Sequence, residues 1–352
     1  MVSLIYQYFS PTGLKKNKNV SNSSRLILQE AEKHGINWNI IPGTQVVTLT
    51  YNGVEKSYYH QIPSSTTAVA KYICNNKQYT SNILHRAGIK VPKGYQVTKE
   101  SSKGDIKEIF ETLQKPIVVK PNNGAWGENI TLNIHTLEEC HQALLSALNY
   151  NDQDNSSMEI STAIIEESFS GDEYRILATR DKVIGVLKRI PANVTGDGKK
   201  SIIQLIKIKN QEPIRGKKGG TQSHIKIRIN EKLKKYLAEQ NLNLKSVPAK
   251  DETVFLRRVS NVSQGGDAID FTDKVHPSVI EIALKTIRAI PGLSFVGMDF
   301  MSKDITKQQT TDSYVIIEIN ESPGFDIHDY PYQGKNRHAA REFLYLMFPE
   351  LR

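Results

Sequence analysis

Two acidic strand ends carry the sharpest chemical signal in this chain of 352 residues: Gly297-Met298-Asp299-Phe300 and Val315-Ile316-Ile317-Glu318-Ile319-Asn320. Residues two apart on a strand share a face. Glu318 and Asn320 are therefore expected to project together, with Ile317 and Ile319 buried behind them, and Asp299 on a neighbouring strand completes the cluster. Three oxygen donors on rigid strands suit Mg²⁺, which takes few protein ligands and keeps its other positions for water and phosphate oxygens. A plainer account stands beside this one, an acidic pair on an edge strand with no metal.

Lys120 ends the apolar run Ile117-Val118-Val119 and is followed by Pro121-Asn122-Asn123-Gly124-Ala125-Trp126-Gly127. An ammonium at a strand end acts as a point charge on phosphate. A loop of small residues lets backbone N–H groups approach phosphate oxygens. The loop is neither a Walker sequence nor a dinucleotide fingerprint, and alone it is ordinary turn chemistry. The stretch Ile164-Ile165-Glu166-Glu167-Ser168-Phe169-Ser170-Gly171-Asp172-Glu173-Tyr174-Arg175 ends one strand and starts another. Such a hinge can offer backbone groups to an adenine edge, an apolar side chain to its face and a carboxylate to ribose hydroxyls; a charged hairpin is the alternative.

These residues need strands to hold them. Alternating segments at 46–51 and 54–60, joined by Asn52-Gly53, predict a hairpin. A strand at 4–9 and a helix at 24–33 precede them, and two helical patterns follow over 66–85, with Gly88 as a C-cap. A second unit opens near Gly94: helix 105–113, buried strand 116–120, strand 129–133, helix 137–148, a polar loop at 151–157, and strands 163–167, 174–178 and 183–187. Residues 201–244 read as a Lys-rich helical lobe broken at Pro213 and Gly216 to Gly220. Strands at 254–258, 295–301 and 314–320, with helices at 278–289 and 336–347, close the chain. The mixed order predicts α+β layers rather than a doubly wound sheet.

With 38% hydrophobic and 24% charged residues, the chain reads as an ordinary globular protein large enough for two or three subdomains. Cys74 and Cys140 have no metal-ligand spacing, so a reducing compartment is expected. No leader and no apolar run of membrane length is read, which predicts a cytoplasmic protein free of membrane. The 46 basic against 37 acidic residues leave +9, spread over Lys-rich helical surfaces. Without a zinc-finger spacing or aromatic RNA-binding motif, no nucleic-acid partner is expected.

In combination these segments resemble the ATP-grasp superfamily. The similarity is greatest to the ATP-grasp module of the cyanophycin synthetases and the glutathione-synthetase half of the fused bacterial glutathione enzymes. It runs from about Asn76 to Pro349 through Asn76-Lys77, Ala87-Gly88-Ile89-Lys90-Val91-Pro92, Val118-Val119-Lys120-Pro121, Gly171-Asp172-Glu173-Tyr174-Arg175, Arg189-Ile190-Pro191-Ala192-Asn193-Val194-Thr195-Gly196-Asp197-Gly198, Leu256-Arg257-Arg258, Ser263-Gln264-Gly265-Gly266-Asp267-Ala268-Ile269-Asp270 and Glu318-Ile319-Asn320.

The resemblance implies an N-terminal α/β domain (1–93), a central ATP-grasp subdomain (94–188) and a C-terminal one (189–352) with a helical insertion at about 200–245. ATP is then clamped between the last two. It implies that Lys77 and Lys120 contact phosphates, with Asn122, Gly124, Trp126 and Gly127 in the mobile loop, 122–128, that closes over them. Glu166, Glu167 and Phe169 would form the adenine hinge, and Glu173 would take the ribose. Asp299, Glu318 and Asn320 match the family's magnesium ligands, with Mn²⁺ able to substitute. Arg175, Arg189 and Arg257 fall where basic residues meet the triphosphate or the reacting carboxylate. Ser263, Gly265 and Gly266 fall in the acceptor region.

The implied activity joins a small-molecule carboxylate, amino acid or short peptide, to an amine through an acyl phosphate, with Arg257 on the tetrahedral oxyanion. A catalytically silent ATP-binding regulatory module is the alternative. The chain lacks the extra domains of both relatives, which predicts a free-standing module, with a homodimer as one open assembly.

Overall fold

The computed structural model describes residues 20–122, 129–149 and 161–352. The expected strand at 4–9, the loop residues Gly124, Trp126 and Gly127, and the polar loop at 151–157 lie outside the described residues.

Helix α1 (Asn22–Lys33) starts where the Ser21 hydroxyl accepts the Ser24 N–H, satisfying one of the free donors of its first turn. Its apolar face, Leu26, Ile27, Leu28 and Ala31, is buried. A four-stranded antiparallel sheet follows in simple order: β1 (Asn37–Ile40), β2 (Val46–Tyr51), β3 (Val54–Tyr59) and β4 (Ile62–Pro63). Asn52 and Gly53 between β2 and β3 have φ of 48° and 78°. That left-handed pair is what a two-residue hairpin turn demands, and Asn-Gly supplies it with little strain. Two helices follow, α2 (Ala68–Cys74) and α3 (Lys77–Arg86). Gly88, at φ 68°, ends the second in the left-handed conformation expected of a C-cap glycine.

The central unit holds β5 (Gly94–Thr98), α4 (Lys103–Thr112), β6 (Ile117–Pro121), β7 (Thr131–Ile134), α5 (Leu137–Leu148) and β8 (Thr162–Glu167). Its strands pair antiparallel in the order β5-β8-β6-β7. Ile117, Val119, Ala163 and Ile165 pack in one core with α4 and α5. By the period of two, Val118, Lys120, Ile164 and Glu166 occupy the opposite face.

Strands β9 (Asp172–Thr179) and β10 (Val183–Ile190) begin a second, larger sheet. A lobe then interrupts it, with β11 (Asn193–Thr195), α6 (Ile202–Lys209), β12 (Arg215–Gly216), β13 (His224–Ile225), α7 (Glu231–Glu239) and β14 (Thr253–Phe255). The sheet resumes with β15 (Asp267–Asp270), then α8 (Pro277–Ala289), β16 (Phe295–Ser302) and β17 (Tyr314–Asn320), and the chain closes with α9 (Asp326–Asp329) and α10 (Ala339–Met347). Its strand order is β15-β10-β9-β16-β17.

Three expectations change here. A boundary at 188 would cut β10, because β9 and β10 belong to the larger sheet: β9 pairs with β16 over eight residues, from Asp172 opposite Ser302 to Thr179 opposite Phe295. Among the described residues the N-terminal sheet has no core of its own, since Leu28, Leu49 and Tyr58 pack in one cluster with Leu177, Phe295 and Phe343. Residues 201–244 are two helices separated by a pair of short parallel strands. This lobe has its own core, Val194, Ile206, Leu233, Leu237 and Leu256 among others, and so reaches beyond 200–245 at both ends.

Alternation divides the larger sheet. Tyr174, Ile176, Ala178, Val296, Met298 and Phe300 pack against α2, α3 and α8. Arg175, Leu177, Phe295 and Asp299 take the other face, where the N-terminal unit covers only Leu177 and Phe295. Among the described residues no helix is long and apolar enough to cross a membrane.

Phe343 ties these layers together. It is fully buried and meets Phe295 and Tyr58 edge-to-face, with ring centroids 5.1 Å and 5.4 Å apart. Phe343→Ala is expected to lower the unfolding free energy by about 3–5 kcal/mol, read by urea denaturation. A loss below about 1 kcal/mol would show that the N-terminal and large sheets do not share a core.

Candidate active site between the two sheets

Strands β16 and β17 pair with Asp299 opposite Glu318 and Gly297 opposite Asn320. The register shifts just beyond, so that Phe300 faces Ile316 and Ile317 is the extra residue of a β-bulge. This bulge sends Ile316 and Ile319 to the same buried side, at 2% and 3% exposure, and leaves Ile317 only half-buried. The expected burial of Ile317 is thereby corrected, since strict alternation fails at a bulge. Asp299, Glu318 and Asn320 nevertheless share one face, as expected.

The neighbouring strands bring cations to that face. Arg175, directly opposite Asp299 in register, places Nε 3.1 Å from Asp299 Oδ1. Arg189, opposite Glu173, places Nη1 3.0 Å from Asp299 Oδ1 and 2.9 Å from Glu173 Oε1. Burial alone would lower the Arg189 pKa, but Asp299 and Glu173 outweigh it and hold the guanidinium charged. Its Nε donates to the Ser260 carbonyl at 3.2 Å, and the Ser260 hydroxyl donates to Glu173. A Cβ at Gly297 would lie 2.6 Å from Pro323 Cβ and 3.1 Å from Arg175 Nη1, so glycine is what lets the guanidinium lie against the sheet.

The central sheet contributes Lys120 and Glu166. They sit diagonally across the β6–β8 pair, with Nζ 2.6 Å from Oε1 and side chains only 5% and 9% exposed. Lys77, at the start of α3, joins the two sheets: Nζ lies 3.5 Å from Glu318 Oε1 and donates to the Asn122 carbonyl at 3.3 Å. Asn122 is fixed there because its side chain accepts the Gln78 N–H at 3.3 Å and its own N–H donates to Thr162. In the hinge, Glu167 accepts the Gln114 N–H at 3.1 Å and donates its own N–H to Lys93. Its carboxylate therefore braces the start of β6. Phe169 is half-buried beside Gly171, where a Cβ would meet the Ser302 carbonyl at 2.6 Å.

A cavity of about 760 Å³ opens over the large sheet, lined by Arg175, Arg189, Asp299, Glu318, Asn320 and Ser263 among others. Gly265, at φ 98°, and Gly266 do not line it. They form the tight turn behind Ser263, where a Cβ would strike Ile227 and the Ile190 carbonyl respectively. Arg257 is not brought to the cluster either: it is buried in the lobe, and its Nη2 donates to the Arg228 carbonyl and to Asn230 Oδ1 at 3.2 Å and 2.9 Å. The other wall of the cavity, Ser21, Asn22, Ser23, Arg25, His60 and Gln61, comes from the N-terminal unit. No motif in the first 75 residues singles these out; a signal was present only in Ser21 and its neighbours as a helix start.

Asp299, Glu318 and Glu173 are three carboxylates set against Arg175, Arg189 and Lys77. Among the described residues no three His, Cys, Asp or Glu side chains converge as a complete metal cage. Two carboxylates and an amide, all hard oxygen donors, fit a magnesium ion that draws its remaining ligands from phosphate and water.

Residues 74–211 match the RimK-like ATP-grasp domain. The bifunctional glutathione biosynthesis protein GshAB of Clostridium perfringens is 35% identical over 331 residues, 93% of this chain and 41% of that protein. A cyanophycin synthetase of Crocosphaera subtropica is 32% identical over 344 residues, 96% of this chain and 37% of its own. The crystal structure of a bifunctional glutathione synthetase from Pasteurella multocida superposes with a TM-score of 0.72 at 30% identity, covering 95% of this chain and 45% of that one. This chain thus spans less than half the length of each of these relatives. Lys77, inside the matched segment, bridges the four-stranded central sheet and the five-stranded sheet, and the chain carries a RimK-like ATP-grasp domain.

Proposed function

We propose that the protein is an ATP- and magnesium-dependent ligase joining an amino-acid or small-peptide carboxylate to an amine through an acyl phosphate. The observation that carries this reading is the placement of Asp299, Glu318 and Asn320 on one sheet face, with Lys77 reaching from Glu318 to the central sheet. Relatives named for glutathione and cyanophycin synthesis support the choice of an amide-forming reaction.

Lys77 and Lys120 hold the phosphates and offset charge on the oxygens as the γ-phosphoryl group transfers to the substrate carboxylate, breaking its bond to ADP. Asp299, Glu318 and Asn320 would hold magnesium, which would supply Lewis-acid charge to the triphosphate. Arg175 and Arg189, both in the cavity wall, orient the carboxylate and support the oxyanion when the amine adds to the acyl carbon and phosphate leaves. They suit this role better than Arg257, whose guanidinium is engaged within the lobe. Two buried free thiols, Cys74 and Cys140, agree with a reducing cytoplasmic setting.

The direct test is phosphate release across pairs of amino acids and dipeptides, with mass detection of the condensed product. ADP and phosphate are the expected nucleotide products, and hydroxylamine in place of the amine should trap a hydroxamate. AMP as the stoichiometric product would overturn the mechanism, and ATP binding without turnover on any pair would point to a silent nucleotide-binding module.

Glu318→Gln is expected to abolish turnover with the fold intact, because the carboxylate's negative charge is lost and only a weaker amide oxygen remains to face the cation. Normal turnover at saturating magnesium would remove the metal assignment.

Lys120 tests a separate term. Lys120→Met strands the buried Glu166 carboxylate, so it should lower apo stability by about 3–5 kcal/mol as well as ATP affinity by roughly 10- to 100-fold. Adding Glu166→Gln should restore stability and leave ATP affinity low. ATP affinity that returns along with stability would make Lys120 purely structural.

A further inference from the structure

Ser260 belongs to no strand or helix, yet it touches two members of the charge cluster. Its carbonyl accepts from Arg189 Nε at 3.2 Å, and its hydroxyl donates to Glu173 Oε2. Arg189 in turn divides Nη1 between Glu173 Oε1 at 2.9 Å and Asp299 Oδ1 at 3.0 Å. One residue therefore closes a ring, Ser260 to Glu173 to Arg189 and back, with Asp299 one contact further on. Ser260 is only 5% exposed, and hydrogen bonds held away from water are electrostatically stronger.

The backbone brings Ser260 there. In register, Arg189 lies between Glu173 on β9 and Ala268 on β15. The chain leading into β15 folds back over β10 through a short 3₁₀ turn, Val262–Gln264, closed where the Gly266 N–H donates to the Asn261 carbonyl at 3.2 Å. A Cβ at Gly266 would lie 2.6 Å from the Ile190 carbonyl, so glycine is what lets this turn approach β10 so closely. Arg215 fixes the far end, its Nη1 donating to the Gly265 carbonyl at 3.1 Å. Ser260 is thus placed by the turn, independently of its own hydroxyl, and meets Glu173 as a fixed donor.

Glu173 gains from such a donor. Its side chain is 29% exposed, and a glutamate that must be ordered when its ligand arrives gives up affinity in lost rotamer freedom. With one oxygen on Arg189 and the other on Ser260, the rotamer is chosen beforehand. A carboxylate has about four acceptor sites, so each oxygen keeps room for a further donor. We infer that Ser260 is a positioning residue: it holds Glu173 as a two-oxygen acceptor for the vicinal ribose hydroxyls of a nucleotide, and so sets the preference for a ribose over a sugar without those hydroxyls. This inference rests on the ligase reading for the place of Glu173 beside the ribose, but its test reads binding alone.

Calorimetric titration of the full chain in magnesium uses ADP and dideoxy-ADP, which lacks both ribose hydroxyls. ADP is expected to bind roughly 10- to 100-fold more tightly. Ser260→Ala should shrink that ratio by roughly 3- to 10-fold and leave dideoxy-ADP unchanged, whereas Ser260→Thr, which keeps the hydroxyl, should preserve it. In a Glu173→Ala background Ser260→Ala should change the ratio no further, because the hydroxyl has no carboxylate left to hold. Because each variant is judged by its selectivity between two nucleotides, a general loss of folding cannot imitate the result. Equal losses for both nucleotides, a ratio untouched by Ser260→Ala, or equal binding of the two by the unaltered chain overturns the assignment. The expected ratios with no turnover on any substrate pair would retain the role of Ser260 and remove the ligase reading. Turnover with equal binding of the two nucleotides would do the reverse.

Discussion

The burial of Asp299 against two guanidiniums is the constraint on which the site depends. A carboxylate only 9% exposed is tolerable when counter-charges and hydrogen bonds replace water, and removing one partner of such a pair typically costs about 3–5 kcal/mol. Arg175 and Arg189 can both reach it only because β10, β9 and β16 lie side by side with Glu173, Arg175, Arg189 and Asp299 in matching register. A slip of one residue in β9 would turn Arg175 toward the core and Ile176 toward the cavity. The apolar face beneath, Tyr174, Ile176, Met298 and Phe300, forbids that slip, so the core and the charge cluster select the same pairing.

The lobe between β11 and β14 reaches the site through a second buried polar assembly. Asp267 on β15 is 3% exposed and receives Lys209 at 2.7 Å, Asn193 at 3.0 Å and the guanidinium of Arg215. Burial, with the neighbouring Arg215, lowers the Lys209 pKa to about 8. Three donors on one carboxylate fix the lobe to the edge of the large sheet. The tight Gly265–Gly266 turn then presents Ser263 to the cavity. The lobe's own apolar core keeps it folded, and the Asp267 assembly sets where it sits.

Legibility in the sequence followed locality. The Asn52-Gly53 hairpin, the strand ending in Lys120 and the pairing of Glu318 with Asn320 each depend on a few adjacent residues, and each appears in the structure. What periodicity could not carry was long-range. Strand β9 alternates equally well in either sheet, and only its eight-residue pairing with β16 assigns it to the larger one. The bulge at Ile317 depends on the register of two strands and leaves no local mark. Arg257 looked as available as Arg189, but the lobe folds it onto Arg228 and Asn230. The wall from Ser21 to Gln61 was invisible for another reason: polar residues at a helix start read first as a cap, and only the tertiary fold turns that cap toward a cavity.

Both lysines assigned to the nucleotide are already engaged, Lys120 with Glu166 and Lys77 with Glu318. An ammonium committed to a carboxylate gives a phosphate only the difference between two charge-assisted contacts. On the proposed function the two lysines then behave differently. The Lys120–Glu166 pair is dry and short, so it can pre-set the ammonium without releasing the carboxylate, in the way a second shell orients a first. The Lys77–Glu318 contact is longer, at 3.5 Å, with the glutamate side chain 37% exposed. Lys77 gains fully from a phosphate only when Glu318 finds another cation, and Glu318 offers its oxygens fully only when Lys77 turns away. The two exchanges favour each other, so a divalent ion and a triphosphate would bind here with positive coupling.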